Sequence, residues 1–523
     1  PHYFKIAILI FTLFSKHSFA QSNTYLLPYQ SPDNQYYWKN NKLLPKDYWQ
    51  QDASYTMRVS IDDKNDIVNG EYYKLSYTNN SPRELKEMYF HLYENAFQPE
   101  SYYHELWRGN KLEPKFGKHE KQKLGTTTEN WAVNGAPVKT ELDNTILKLL
   151  LDKPIQPGET VEVTCNFKTY WDTGSMRRRN KTLLTQATKH FDGVHWYPIV
   201  CVYDKHFTWH TDQHLDKEFY ANFGSYDVAL TFPQEYIVEA TGVLTNEAEV
   251  LPEDLKQKID LNNFKNKPFN STATGVIPKE EGKTKTWKFY ANNVHNFAFT
   301  ADPLYRREEI IWNGIKVISL AQEPHASKWQ ESAEFTAKVM ETYSKDFGTY
   351  IWPKIIVADA DDGMEYPMLT LDGGTYPQHQ YLLAHEVGHM WFYGMLGSNE
   401  TYRASLDEGF TQFLTIWSMD KTTGKKKARP APYKFLQKYA DSSVSRYDRL
   451  YTPYLTDVWS GYDEPLNTHS HGFNSGIRQS GGYRLVYHKT GVMLYNLKYV
   501  LGDSVFLGAM QHYVKKWTGA HPY

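Results

Sequence analysis

The run His385-Glu386-Val387-Gly388-His389, followed by Glu408 after a gap of 18 residues (390–407), constrains this chain more than any other feature. On a helix, positions i and i+4 share a face, so His385 and His389 can grip one ion. Glu386 stands beside them and reaches a water on that ion. A second helix carrying Glu408 adds an oxygen ligand. Two imidazoles, one carboxylate and an open fourth position describe a catalytic site for one Zn2+ ion, not a closed structural site. The pattern predicts a motif helix over about 378–396 and a second helix over about 406–419. Asp407, near the start of the second helix, favours its exposed N–H groups. Asn399 and Glu400 lie between the ligands, either as supports for them or as plain solvated residues.

At 523 residues the chain has room for two or three domains. A formal net charge of −2 gives no electrostatic reason for nucleic acid or an anionic membrane as partner. The basic clusters Arg177-Arg178-Arg179 and Lys425-Lys426-Lys427 sit among Gly, Ser, Asn and Pro, and read as solvated loops. The N-terminus reads as a signal peptide over 1–20: Lys5, an apolar run from Ile6 to Phe14, and Ser18-Phe19-Ala20 before Gln21. Export to the periplasm or the extracellular space is the expectation, with no stable membrane insertion after cleavage. Two cysteines, Cys165 and Cys201, are either a disulfide or two buried thiols.

Residues 21–50 are polar and read as an extended lead-in. From 51 to 303 apolar and polar residues alternate, as in Tyr55-Met57-Val59-Ile61 and Val228-Leu230-Phe232, the period of half-buried strands. This predicts an N-terminal antiparallel β domain, a sandwich or curved sheet. The Lys- and Asn-rich stretch Pro252 to Lys285 reads as an exposed loop. From 304 to 523 the period changes. A helix near Trp329 to Tyr343 and a buried strand at Ile355-Ile356-Val357-Ala358 precede the motif helix, and a helical pair from Leu485 to Trp517 follows it. Residues 424–480 read as an irregular insertion. The fold class is α+β multidomain: the β domain, then a thermolysin-like, mainly helical domain. Pro1 in place of Met, and the ending His521-Pro522-Tyr523, suggest a fragment of a longer reading frame.

Three segments together carry a family resemblance: His385-Glu386-x-x-His389, Leu406-Asp407-Glu408-Gly409-Phe410, and Gly363-Met364-Glu365-Tyr366-Pro367. The chain resembles the aminopeptidase N-type gluzincin zinc metallopeptidases, a family that also includes leukotriene hydrolases, and looks like a bacterial secreted member, C-terminally truncated without the family's helical domain. Phe90 to Phe97, Trp196-Tyr197-Pro198 through Asp204, and Asn296-Phe297-Ala298 look like β-domain segments of bacterial members. The resemblance implies a peptide substrate cut at its N-terminal bond by metal-activated water. Glu386 is the implied general base. Tyr487, opening Tyr487-His488-Lys489-Thr490-Gly491, is the implied oxyanion donor, with Tyr483 as runner-up. Glu365 is the implied ligand of the free α-amine, on a strand (Gly363, Met364) that pairs with the peptide. Gln186 matches the first residue of the family's Gln-x-Glu pair, while Thr188 replaces its Glu, leaving amine binding to Glu365. An endopeptidase or a non-peptide hydrolase on the same zinc site is the alternative. The His-x-His pair His469 and His471, and His206, His210 and His214, offer further imidazoles to which a metal role or a merely structural one applies.

Overall fold

The computed structural model describes residues 35–423, 444–473 and 482–522. The segment read as a signal peptide and much of the 424–480 stretch lie outside them. Among the described residues no helix is long and apolar enough to cross a membrane.

The period-two pattern becomes an eight-stranded sheet. Strand Asp52–Asp62 alternates half-buried and buried positions along its whole length. It pairs antiparallel with Ile67–Thr78, which pairs antiparallel with Thr160–Tyr170. On its other side Gly224–Pro233 runs parallel to it, placing Tyr55 opposite Tyr226 and Val59 opposite Leu230. That parallel pair departs from the all-antiparallel expectation. Parallel neighbours need a long crossover, and here residues 63–223 provide it while building parts of two four-stranded sheets.

Aromatic side chains fill the space between sheets. Tyr55 stacks on Tyr226 at 4.8 Å between ring centroids. The Tyr197 hydroxyl lies 3.1 Å from both the Tyr226 hydroxyl and Asn296 Oδ1, so three buried polar tips satisfy one another. Cys165 and Cys201 are buried free thiols.

Two composition-based expectations are corrected. The 252–285 stretch contains a helix, Glu253–Ile259, that buries Leu255 and Ile259 while its lysines face out. Its apolar face is only two residues, Leu255 and Ile259, too little to stand out among so many polar neighbours. The arginine run is only partly solvated: Arg178 is exposed, Arg179 half-buried. Arg177 is fully buried between Glu94 and Glu120, with its Nε 3.0 Å from Glu120. Buried charges persist when paired and hydrogen-bonded, which composition cannot reveal.

The second half is built on a five-stranded sheet, in the order Tyr305–Trp312, Ile315–Gln322, Lys354–Asp359, Leu369–Asp372, Gly363–Tyr366. Lys354–Asp359 is buried at every position, as its unbroken apolar run implies. It lies between two parallel neighbours, and helix Ser332–Asp346 makes the crossover into it. Gly363–Tyr366 is the edge strand, antiparallel to Leu369–Asp372 with Glu365 opposite Thr370. Helices His379–Gly388, Phe410–Thr422, Leu485–Leu501 and Asp503–Trp517 complete this half. A buried ion pair ties the halves together: Lys354 Nζ lies 3.1 Å from Glu239. Tyr226→Ala removes the central ring of the β domain and is expected to cost about 3–5 kcal/mol. Urea unfolding followed by tryptophan fluorescence measures it; a loss below about 1 kcal/mol would show that the ring is not a core element.

Candidate metal centre

The motif helix is shorter than its sequence suggests. It spans His379–Gly388, and the chain then leaves helical geometry at Phe392 (φ −109°, ψ 80°) and Tyr393 (φ 147°, ψ −67°). A positive φ on a bulky side chain is costly. It is held here by the β domain, where His295 Nε2 lies 2.8 Å from the Tyr393 carbonyl and its ring packs on the Tyr393 ring. Burial pushes His295 down to about 3, so it is neutral and its Nε2–H donates. The kink sends residues 394–404 around so that Leu406-Asp407-Glu408 returns to the same imidazoles. Gly388 lets the two helices meet: a Cβ there would lie 3.0 Å from Thr411 Cγ2.

Three donor atoms converge. His385 Nε2 and His389 Nε2 are 3.2 Å apart, and Glu408 Oε2 lies 3.2 Å from the first and 3.3 Å from the second. A tetrahedral zinc with bonds of about 2.0–2.1 Å requires ligand–ligand edges of about 3.3–3.4 Å, so the triangle fits such an ion. The other ring nitrogens are committed. His389 Nδ1 lies 2.5 Å from Asp407 Oδ1. His385 Nδ1 lies 3.1 Å from the Thr415 hydroxyl, which donates its own proton to the Thr411 carbonyl and so accepts from the ring. Both protons therefore belong on Nδ1, and both Nε2 lone pairs face the metal position, the arrangement that orients ligating histidines.

Charge makes the same demand. Glu365, Glu386, Glu400, Asp407 and Glu408 are all buried around this point. Burial pushes Glu365 and Glu386 well above the usual carboxylate range. Burial would raise Glu408 too, but the two imidazoles beside it override this and hold it well below that range. Five buried carboxylates against two imidazoles are poorly compensated without a cation.

Glu386 keeps Oε2 without a hydrogen-bond partner. Gly363 is required beside it, because a Cβ there would lie 2.7 Å from Glu386 Oε1. Met364 is wholly buried, so its side chain packs and only its backbone faces the strand edge. Glu365 lies 3.8 Å from His389 Nδ1, and its Oε1 is unpartnered. The Tyr487 hydroxyl donates to Glu408 Oε1, and its ring stacks at 5.9 Å on His385. Tyr483 lies one turn away, its ring 6.1 Å from that of Tyr487 and its hydroxyl unpartnered.

Gln186 is not brought to this group. Its amide donates to the Ser271 carbonyl and accepts from the Ala273 N–H, each at 2.8 Å, so a loop of the β domain occupies it. Thr188 bonds back to the Thr185 carbonyl. In their place the structure brings Glu218 and Glu400 close to Glu365, residues without a recognisable spacing from the motif. Asn399 and Glu400 are both buried rather than solvated. Asn399 caps the short helix Glu400–Ala404, accepting from Tyr402 N–H at 3.2 Å.

The remaining histidines have other work. His210 lies 2.6 Å from Asp204 and 3.1 Å from Asn399. Asp212, His469 and His471 lie close enough together to hold an ion. However, the His471 N–H donates to His469 Nδ1 at 3.1 Å. This puts the His469 proton on Nε2, facing Asp212 at 3.3 Å, which is a histidine–carboxylate bond rather than a ligand set.

An N-terminal β-rich domain followed by a helical domain with two histidines and a glutamate around one point defines a metallopeptidase. Residues 370–521 match the peptidase family M1 domain. This part of the chain is thus an M1 peptidase domain, the domain of zinc enzymes that hydrolyse peptide bonds. No curated protein matches it in sequence. Among solved structures it is similar to a mutant M1 zinc metallopeptidase from Deinococcus radiodurans: TM-score 0.56, 14% identity, covering 91% of this chain and 89% of that one. The same enzyme bound to a Tyr-Ser-Ala substrate gives a TM-score of 0.55 at 14% identity, covering 91% and 88%. A two-domain M1 zinc metallopeptidase mutant bound to L-arginine gives 0.56 at 13% identity, covering 92% and 91%. At these identities the likeness shows the fold.

Asp407→Ala is expected to weaken zinc binding by about 10–100-fold while the chain stays folded. Competition with a chromogenic chelator measures the affinity. An unchanged value would remove Asp407 from the support of His389.

Proposed function

We propose that this chain is an exported, single-zinc aminopeptidase that releases the N-terminal residue of peptides. The observation that carries the reading is Glu365. It is a buried carboxylate on an edge strand, its Oε1 without a hydrogen-bond partner and 3.8 Å from a ligand histidine. Such a group is costly unless a cation of the substrate meets it, and the cation a peptide offers at its cut end is its α-ammonium. The edge strand supplies free backbone groups on its outer side, suited to pairing with an extended peptide. Gly363 to Glu365 thereby set the depth to which the peptide can enter.

When bound, zinc supplies a Lewis acid that polarises the carbonyl and makes water acidic near neutral pH. Glu386 is placed to hold the proton released from water and to return it to the leaving amine. Burial raises its proton affinity, which suits a group that must take up a proton and pass it on. Tyr487, with its hydroxyl at the ligand Glu408, is placed to donate toward the carbonyl oxygen as that oxygen gains charge. Asp407 and Thr415 hold the two imidazoles so that neither turns during the reaction. That a structural relative, as a mutant, is bound to a Tyr-Ser-Ala substrate supports a peptide substrate here. The export reading rests on Lys5, the Ile6 to Phe14 run and Ser18-Phe19-Ala20.

Glu386→Gln is expected to retain zinc and to lose about 100-fold or more of turnover on aminoacyl anilides. Metal analysis of the same sample separates the two effects, and full turnover would remove Glu386 as the base. Wild-type enzyme is expected to cleave free-amine anilides and to leave their N-acetylated twins intact. Equal cleavage of both sets would contradict the exopeptidase reading.

A further inference from the structure

The β domain places three cations beside Glu218, and two of them are spent. Arg179 sets Nη1 and Nη2 at 3.3 Å from the two oxygens of Glu218, and its Nε at 3.3 Å from Asp362. Arg178 meets the other oxygen of Asp362, also at 3.3 Å. Lys217 is the third, and it is half-buried. Among the described residues its Nζ has no hydrogen-bond or ion-pair partner. It lies instead 5.0 Å from the centroid of the Tyr483 ring, within cation–π range. Burial pushes Lys217 below the usual lysine range, against the pull of Asp216 and Glu218. An anion held at its Nζ would favour the charged form again.

Tyr483 fixes where this charge stands. It is 7% exposed, and among the described residues its hydroxyl has no hydrogen-bond partner. Its ring meets Tyr487 edge-on at 6.1 Å, and the Tyr487 hydroxyl donates to the metal ligand Glu408. Burial, and then the charges of Glu218, Glu408 and Glu400, hold the Tyr483 hydroxyl protonated. Glu218 and Glu400 are the carboxylates close to Glu365. Tyr483 therefore borders both the metal side and the Glu365 side. In the aminopeptidase reading the substrate amine is at Glu365 and the scissile carbonyl at the metal and Tyr487. The Cα of the N-terminal residue lies between those two groups, so Tyr483 and Lys217 flank its side chain.

A lysine ammonium and a tyrosine hydroxyl, side by side and both without an acceptor, suit a carboxylate. An aliphatic side chain at this place leaves both donors unmet. A basic one adds a like charge beside Lys217. An acidic one accepts from Lys217 while its methylene groups lie along the Tyr483 ring. We propose that Lys217 is a specificity-determining residue that selects peptides with glutamate or aspartate at the N-terminus. The proposal rests on the aminopeptidase reading above and names the substrate class for it. It gives the β domain a part in choosing the residue released, through a side chain that the two arginines leave free to act.

The test is steady-state kinetics of the full chain on glutamyl and glutaminyl anilides, which share a shape and differ by one charge. The wild type is expected to favour the glutamyl substrate in kcat/KM by about tenfold or more. Lys217→Met is expected to bring that ratio to about one, and Lys217→Arg to keep most of it. Lys217→Glu is expected to favour a lysyl anilide over a norleucyl one. Each ratio compares two substrates on the same sample, so a partly unfolded variant does not move it. A wild-type ratio near one, or an unchanged ratio in Lys217→Met, overturns the role of Lys217 and leaves the aminopeptidase reading standing. No cleavage of any free-amine anilide, or equal cleavage of the N-acetylated twins, overturns that reading and this proposal with it.

Discussion

His389 sits between two carboxylates, with Asp407 on its Nδ1 and Glu408 near its Nε2, and much of the catalytic half is arranged around that contact. The ring has two nitrogens and one proton when neutral, so holding the proton at Asp407 exposes the opposite lone pair. Asp407 and Glu408 are adjacent in sequence, yet they meet opposite sides of one imidazole. This requires the chain to reverse between residues 389 and 407. The reversal is made at Phe392 and Tyr393, in a conformation that the His295 contact secures. A residue of the β domain thus fixes the turn that delivers the third metal ligand.

The same interdependence appears around Glu365. Arg179 and Glu218 come from the β domain, Asp362 from just before the edge strand, Glu365 from that strand, and Glu400 from between the ligands. None of these elements makes a pocket alone. Their charges lie close together in the interior, where they need compensation. Burial is what makes the group demanding, because an unpaired carboxylate costs far more in the interior than at the surface. The chemistry therefore depends on the contact between the two halves as much as on the motif helix.

Much of this is legible in the sequence where a rigid local rule applies. An i,i+4 pair must share a helix face, so spacing alone joins His385 to His389. Period-two alternation announces the strands around Tyr55 and Val228. Other features obey no local rule. Glu218 and Glu400 reach Glu365 through tertiary folding, and nothing in their neighbours marks them. Gln186 follows from a matched pattern, but its amide is taken by Ser271 and Ala273, a contact that no short-range reading contains. Arg177 looks solvated by composition and is buried by ion pairing. The helix ending at Gly388 rather than near 396 reflects a kink stabilised by a residue about a hundred positions earlier. The parallel pairing of Asp52–Asp62 with Gly224–Pro233 is likewise a long-range choice that alternation alone does not specify.

The most direct measurement is an anomalous difference map recorded from crystals of the enzyme on either side of the zinc absorption edge. The expected result is one strong peak bounded by His385 Nε2, His389 Nε2 and Glu408, with none at Glu218, Glu365 and Glu400 and none at Asp212, His469 and His471. A map with no peak among His385, His389 and Glu408, from protein purified without chelator, would contradict the assignment of the metal centre and the chemistry built on it.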